Sequence, residues 1–128
     1  MTYIVDTHIF IWLLDKNKRL SSKYKEILSN NNHTFIISTI VLAEIKHLIG
    51  IKRIDIKFES VIKHLGECDN CIVYPIDEDV IEHMPEGLDI HDALIVSTGL
   101  IYKDFLWENV YILTEDESIK NSKILEVA

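Results

Sequence analysis

The fold is decided by the sequence TYIVDTH at residues 2–8. Residues 2–5 are a short β-favouring run, and this run ends at an acid, Asp6. The next segment, IFIWLL at residues 9–14, is predicted to be helical. A strand that leads directly into a helix is the first half of a βαβ unit, so this stretch predicts a parallel sheet with helices packed on it.

The same alternation of strands and helices continues along the chain. Further strands are predicted at residues 34–37, 72–74, 110–113 and 123–127. Further helices are predicted from Ser21 or Ser22 to the Asn turn at residues 30–32, from Ser38 or Thr39 to Gly50, and at residues 57–65, 78–84, 90–102 and 117–121. We therefore expect an α/β fold, in which residues 1–128 form a single domain built as a three-layer α/β/α sandwich with a central parallel sheet.

The composition agrees with one folded domain. The 128 residues are 48% hydrophobic, which is too apolar for a disordered chain. The net charge of −8 disfavours binding to nucleic acid through a broad positive field, but it is compatible with a nuclease whose metal ions cancel its own acids. The longest uncharged stretch, residues 27–43, falls short of the roughly 20 apolar residues of a membrane span. Since residues 1–6 lack the features of a signal peptide, we expect a cytoplasmic protein.

Four acids are predicted to lie at the carboxyl edge of the sheet, where α/β folds have their crevice. Asp6 follows the first strand, and Asp116 follows the fourth. Glu44 lies one turn into the helix after the second strand, among apolar residues that make an unpaired charge costly. Asp92 lies in the first turn of the longest predicted helix. Like charges that are crowded together destabilise a protein unless cations balance them. Carboxylate oxygens are ligands that suit Mg²⁺ or Mn²⁺. The four acids therefore predict metal-dependent hydrolysis of phosphodiester bonds.

Each acid also has a structural explanation that the sequence leaves open. Asp6 and Asp116 are each placed to cap a following helix. Asp89 and Asp92 have the spacing of a capping box, in which the charge of Asp92 would interact favourably with the helix dipole. Capping explains each acid singly. It does not explain why four acids that are distant in sequence are predicted at one end of one sheet.

Four segments of the chain carry a resemblance to a known family. They are VDTH at residues 5–8 with Trp12, Ser38 with Glu44, IHDALIV at residues 90–96, and LTED at residues 113–116. In order and spacing they resemble the four acidic motifs of PIN-domain ribonucleases, and together with the chain length they resemble the VapC toxins of toxin–antitoxin pairs. The resemblance covers almost the whole chain. It implies a PIN-like fold with metal ligands at Asp6, Glu44, Asp92 and Asp116, with Thr114 orienting a ligand or a water, and with Thr7 as a weaker candidate for that role.

The resemblance also implies an activity and partners. A metal-activated water would hydrolyse RNA and leave 5′-phosphate and 3′-hydroxyl ends. The protein would be the toxin of a pair, would form a homodimer, and would be bound by a cognate antitoxin. Many relatives carry a further acid at the position where this chain has Ser118. The resemblance therefore leaves open whether the site binds one or two ions of Mg²⁺ or Mn²⁺.

Three other functions agree with parts of the sequence. A catalytically silent PIN-like module would bind a protein or RNA and show no metal-dependent activity. A metal-free RNase that used His8 and His91 would resist chelation and leave 2′,3′-cyclic phosphates. A phospho-acceptor domain would use Asp6 as the acceptor. One class of such domains carries a D-x-D-x-T motif, and another carries paired acids with a Lys near the end of the domain; the sequence has neither motif.

Cysteines and cations outside the acidic motifs leave further alternatives open. Cys68 and Cys71 form a lone C-x-x-C motif. A redox motif would be followed by the start of a helix, which is not predicted here. A zinc site would need a second pair of ligands, and only His64 and His83 could supply it. The sequence instead predicts a turn before a strand. Two basic clusters either line an RNA path or are solvated helix faces: Lys16, Lys18, Arg19, Lys23 and Lys25, and Lys46, Lys52, Arg53 and Lys57.

Two apolar groups are predicted to be core or subunit contacts. The first contains aromatic residues, for which a base-stacking role is the weaker alternative: Trp12, Tyr102, Phe105 and Trp107. The second is a helical face that one small layer would leave uncovered, and it predicts a dimer surface. Its residues are Ile45, Leu48, Ile49, Ile51 and Ile54.

Overall fold

A computed structural model describes all 128 residues, and its centre is a five-stranded parallel sheet. The strands are β1 (Thr2–Val5), β2 (Thr34–Ser38), β3 (Cys71–Tyr74), β4 (Val110–Leu113) and β5 (Glu126–Val127). Their order across the sheet is β3-β2-β1-β4-β5, and every neighbouring pair is parallel. The predicted parallel α/β architecture is confirmed.

Seven helices connect the strands. They are α1 (Thr7–Leu14), α2 (Ser22–Leu28), α3 (Thr39–Gly50), α4 (Phe58–Glu67), α5 (Glu78–Glu82), α6 (Ile90–Leu106) and α7 (Glu117–Ser122). Each predicted helix is present. Because parallel neighbours cannot be joined by a tight turn, each connection crosses over the sheet through one or two of these helices.

Helices cover both faces of the sheet. Ile4 and Val5 are successive residues of β1 and therefore point to opposite faces. On the Ile4 face α6 packs so closely that a Cβ on Gly99 would lie 3.1 Å from Ile4 Cγ2. On the Val5 face, Val5 and Phe10 of α1 line one cavity together with Phe35 of β2. The sheet thus lies between two helical layers, as in the predicted three-layer sandwich.

Side-chain caps set the helix starts. The prediction that α1 begins at Ile9 is wrong by two residues, because Asp6 accepts a hydrogen bond of 2.8 Å from the backbone N–H of Thr7 and starts the helix there. Ser38 accepts a bond from Ile40 N–H and caps α3, as one of the two predicted alternatives has it. Asp6 directly follows β1 and Ser38 is the last residue of β2, so both caps also fix the direction in which each helix leaves the sheet.

Left-handed residues set several helix ends. α6 extends to Leu106, four residues beyond the predicted end, and stops where Trp107 takes a φ of 57°. β5 is shorter than predicted because Lys123, with a φ of 56°, still belongs to the end of α7. Gly50 ends α3 as predicted, but the left-handed residue beyond the helix is Lys52, with a φ of 58°. The remaining helix boundaries differ from the predictions by two residues or fewer at each end.

Cys68 and Cys71 are joined by a disulfide, which the sequence did not predict. Cys68 lies at the end of α4, and Cys71 is the first residue of the edge strand β3. The two Cα atoms are 5.5 Å apart. The predicted turn before a strand is present. The disulfide closes that turn and leaves neither sulfur free for a zinc site.

Two predictions about apolar surface are wrong in part. Ile45 is fully buried in the core, and of its predicted exposed face only Ile51 is exposed. By contrast Phe105 and Trp107 are 78% and 93% exposed, so they are not core residues. The exposed apolar surface therefore lies at the end of α6 more than on α3. No helix combines the length and apolar character that crossing a membrane requires.

Candidate active site

The candidate site lies where the strand order of the sheet reverses. Chain connections leave β1 and β4 in different directions, which opens a crevice at their carboxyl ends. Asp6 is the first residue after β1 and caps α1, and Asp116 lies three residues after β4 and caps α7 through a 3.0 Å bond from Ile119 N–H. The register of β1 on β4 thus places two capping carboxylates at one edge.

Thr114 joins these two acids. Its hydroxyl donates a 2.6 Å hydrogen bond to Asp6 Oδ2 and accepts a 3.0 Å bond from the backbone N–H of Asp116. Asp6 is 7% exposed, and Thr114 is completely buried. Burial raises the pKa of the Asp6 carboxyl, and the bonds from Thr114 and from Thr7 N–H offset part of this effect. Thr114 therefore holds the orientation of one carboxylate and the backbone of the other.

Glu44 enters the site from α3. Thr7, the first residue of α1, donates its hydroxyl to Glu44 Oε1 at 2.9 Å. Thr7 thereby supports two carboxylates, because its backbone N–H bonds to Asp6 and its hydroxyl to Glu44. The second oxygen of Glu44 makes no hydrogen bond within the protein. Neighbouring threonines and capping bonds hold these acids while leaving oxygens free.

Asp92 lacks a hydrogen-bond partner in the protein. The predicted capping box does not form: Asp89 accepts from His91 N–H, but Asp92 makes no return bond to Asp89. Burial, followed by the negative charges of Asp116 and Asp6, raises the pKa of Asp92 from 3.8 to about 6. Asp92 is thus a carboxylate that the protein places against other carboxylates without compensating it.

All four predicted acids line one cavity of about 280 Å³. Glu115 was not among the predicted site residues, but it also lines this cavity and forms a 3.2 Å ion pair with Lys120. The cavity is lined by Asp6, Thr7, His8, Trp12, Glu44, Asp92, Glu115 and Asp116. Thr114 lies behind this lining, and Ser118 does not contribute to it. A cavity with five carboxylates strongly favours cations and repels phosphate unless cations are present.

The comparisons with known proteins agree with this geometry. The sequence profile of the PIN domain matches residues 3–123. The chain belongs to the PIN domain family. Members of this family are generally nucleases and generally use divalent metals. No curated protein matches the sequence.

This PIN domain also resembles a solved structure. That structure is described as VapBC2 from Rickettsia felis bound to a DNA fragment from their promoter. The match has a TM-score of 0.69 and 19% sequence identity, and it covers 100% of this chain and 98% of the other. At this identity the match shows the fold, and the predicted PIN-like fold is confirmed.

The acids of this PIN domain fit a hydrated divalent cation. No three His, Cys, Asp or Glu side chains converge closely enough to form a complete metal site alone. Mg²⁺, however, keeps several waters and is commonly held by one or two carboxylates. Both oxygens of Asp92 and one oxygen of Asp116 have no protein donor, and they face a cavity with room for water. The donor set therefore suits Mg²⁺ or Mn²⁺ better than zinc.

The two histidines of the metal-free alternative do not meet. His8 lines the acidic cavity, whereas His91 lies outside its lining and approaches Asp89, with 3.7 Å between Nδ1 and Oδ1. A pair of histidines for general acid and base catalysis across one phosphate would need to share the site.

Trp12 packs against the core on one side and lines the cavity on the other. The prediction that Trp12 is a core residue is therefore correct for only one side of this side chain.

Proposed function

We propose that this PIN domain is a Mg²⁺- or Mn²⁺-dependent endoribonuclease that leaves 5′-phosphate and 3′-hydroxyl ends. One observation carries the proposal: carboxylates from four distant segments line one cavity, and one of them, Asp92, has no protein partner. A purely structural role would explain capping by Asp6 and Asp116. It would not explain the uncompensated Asp92 beside them, because crowded charges reduce stability unless they bind a cation.

The carboxylates have distinct roles in this proposal. Asp6, Asp92 and Asp116 would hold the ion, and Glu44 would bind it directly or through water. Thr114 and Thr7 keep two of these carboxylates oriented through the hydroxyl bonds described above. When bound, the divalent ion supplies a water of lowered pKa and neutralises phosphate charge. The acids themselves exclude phosphate from the cavity until cations balance them, which makes the activity depend on metal.

Nine cations support RNA as the substrate. They are the Lys and Arg residues of the two predicted basic clusters. None of these side chains forms an ion pair within 4.0 Å of a carboxylate; the ion pairs of the chain involve His83, His91 and Lys120. Uncompensated Lys and Arg side chains are suited to phosphate contacts. We propose that one of these clusters guides RNA to the acidic cavity, and this contact would weaken as salt rises.

The experiment uses purified protein with a panel of single-stranded and looped RNAs. We expect cleavage with Mg²⁺ or Mn²⁺, loss of cleavage in EDTA, and products with 5′-phosphates. Asp92→Asn should abolish cleavage. Asp79→Asn, which changes an acid in the first turn of α5 outside the cavity, should not. Full activity in EDTA or cyclic-phosphate ends would contradict the proposal, and RNA binding without cleavage would favour the silent module.

We further propose that the protein is a VapC-type toxin that pairs with an antitoxin in the cytoplasm. The fold shared with the Rickettsia felis VapBC2 structure supports this role. A basic antitoxin segment would be attracted to the acidic cavity, and the net charge of −8 would speed its capture. A small open reading frame beside the gene should encode a protein that relieves growth arrest on co-expression. Growth arrest that no neighbouring product relieves would contradict the pairing.

A further inference from the structure

Tyr24 lies behind the acidic cavity and bonds to Thr114, the residue that holds the carboxylate of Asp6 and the backbone of Asp116. It is a residue of α2, is 3% exposed, and is absent from the cavity lining. Its hydroxyl lies 3.1 Å from the carbonyl oxygen of Thr114 and 3.2 Å from that of Ala128. The backbone N–H of Thr114 points to the same hydroxyl at 3.4 Å. A tyrosine of α2 thereby contacts the residue that follows β4 and the residue that follows β5.

Tyr24 supplies the hydrogen bonds of the Thr114 backbone. Thr114 lies just beyond β4 and is completely buried, and neither its N–H nor its carbonyl bonds to another backbone group. Buried backbone groups require partners, so the position of this peptide depends on one phenolic hydroxyl. The Thr114 side chain in turn holds Asp6 Oδ2 and the N–H of Asp116. Hydrogen bonds therefore link Tyr24, through Thr114, to the carboxylate of Asp6 and to the backbone of Asp116.

We propose that Tyr24 is a positioning residue for the metal site, acting through Thr114. This inference rests on the proposed metal-dependent function. The Tyr24 hydroxyl fixes the Thr114 backbone, and the Thr114 hydroxyl then presents Asp6 and Asp116 in the orientation that binds a cation. Groups that orient ligands without touching the metal typically change metal affinity about 10–100-fold when removed. Because Tyr24 acts through one more residue than Thr114 does, we expect the low end of that range.

The test removes one hydroxyl and measures Mn²⁺ binding by titration calorimetry, without RNA. Tyr24→Phe should raise the Kd for Mn²⁺ about tenfold. Tyr74→Phe is a matched control, because Tyr74 donates a 2.8 Å bond to Asp77, the carboxylate that caps α5 outside the cavity. That variant should leave the Kd unchanged. A purely structural role for Tyr24 would lower the melting temperature of Tyr24→Phe and leave its Kd for Mn²⁺ unchanged.

A double variant tests the route of the effect. If Tyr24 acts through Thr114, then Tyr24→Phe should add no further loss of Mn²⁺ affinity to Thr114→Val. Fully additive losses would overturn the route through Thr114. An unchanged Kd in Tyr24→Phe would overturn the positioning role itself.

A measurement on the unsubstituted protein covers the case in which Tyr24→Phe does not fold. With the phenolic carbons of the tyrosines labelled with ¹³C, saturating Mg²⁺ should shift the resonance of Tyr24 and leave that of Tyr74 in place. An unmoved Tyr24 resonance would overturn the inference. If the unsubstituted protein binds Mn²⁺ but does not cut RNA, the nuclease proposal fails. The ratio of the Mn²⁺ Kd of Tyr24→Phe to that of the unsubstituted protein then still decides the role of Tyr24. If it binds no Mn²⁺, both fail.

Discussion

Replacing Asp92 by Asn should stabilise the metal-free protein at neutral pH. Burial and the charges of Asp116 and Asp6 raise the pKa of Asp92 from 3.8 to about 6. Between these values the folded protein binds the proton more strongly than the unfolded chain does, so the free energy of unfolding falls as pH rises through this window. Above it the loss is complete. Asn does not titrate, and therefore the variant avoids that loss.

The magnitude follows from the shift in pKa. A change of about two pKa units at about 1.4 kcal/mol per unit gives an upper limit near 3 kcal/mol. Asp92 is partly exposed, and its charge interacts favourably with the dipole of α6, so solvent screening and this dipole reduce the gain to about 1 kcal/mol. The gain should disappear below about pH 4, where Asp92 is neutral in both states.

Urea denaturation in EDTA at about pH 4 and about pH 8 measures this difference. The control is Asp79→Asn, which lies in the first turn of α5 and should lose about 0.3–1 kcal/mol of dipole interaction at pH 8. Adding Mn²⁺ should reverse the order of the wild type and Asp92→Asn, because the wild type binds the ion more tightly. If Asp92→Asn is less stable than the wild type at pH 8 in EDTA, the reasoning about crowded carboxylates is refuted.

Three further predictions concern other parts of the chain. Asp116→Asn keeps the cap on Ile119 N–H and should lose cleavage but little stability, whereas Asp116→Ala should cost about 1 kcal/mol more in denaturation. Cys68→Ser opens the four-residue loop to Cys71 and should lower stability by about 2 kcal/mol; equal stability with and without reductant would contradict this. Light scattering should report about twice 14.9 kDa for a homodimer, and a strict monomer at high concentration would contradict it.

The parallel sheet was predictable because each strand is a short apolar run that ends abruptly. β4 and its neighbour β1 have the predicted bounds, since Asp6 and the polar residues after Leu113 stop the apolar pattern. Helix ends were harder to predict. α6 continues through Lys103 and Asp104, which look like a break in sequence but extend into solvent from a helix already fixed by packing.

The acids of the site were predictable for a different reason. Asp6 is the first residue after β1, and Asp116 lies three residues after β4. Because the carboxyl ends of parallel strands meet at one edge of the sheet, the proximity of these two acids follows from the topology. Tyr24 had no such signal. A tyrosine among polar residues on a short helix has the pattern of an ordinary core contact, and its partners lie 90 and 104 residues away. The contact becomes visible only when β4 and β5 are placed beside α2.

The structural and functional explanations of the acids turn out to be compatible. Asp6 Oδ1 caps α1 and Asp116 Oδ1 caps α7, so both residues do what a helix cap does. A carboxylate that caps a helix is held in a fixed orientation. The second oxygen of Asp116 has no protein donor, whereas Oδ2 of Asp6 also accepts a bond from Thr114. Asp92 lacks such a bond, and in the proposed metal site the ion would compensate its charge. In the proposed metal site, capping would supply the rigidity that metal ligands need, while the uncompensated charge of Asp92 would supply affinity for the cation.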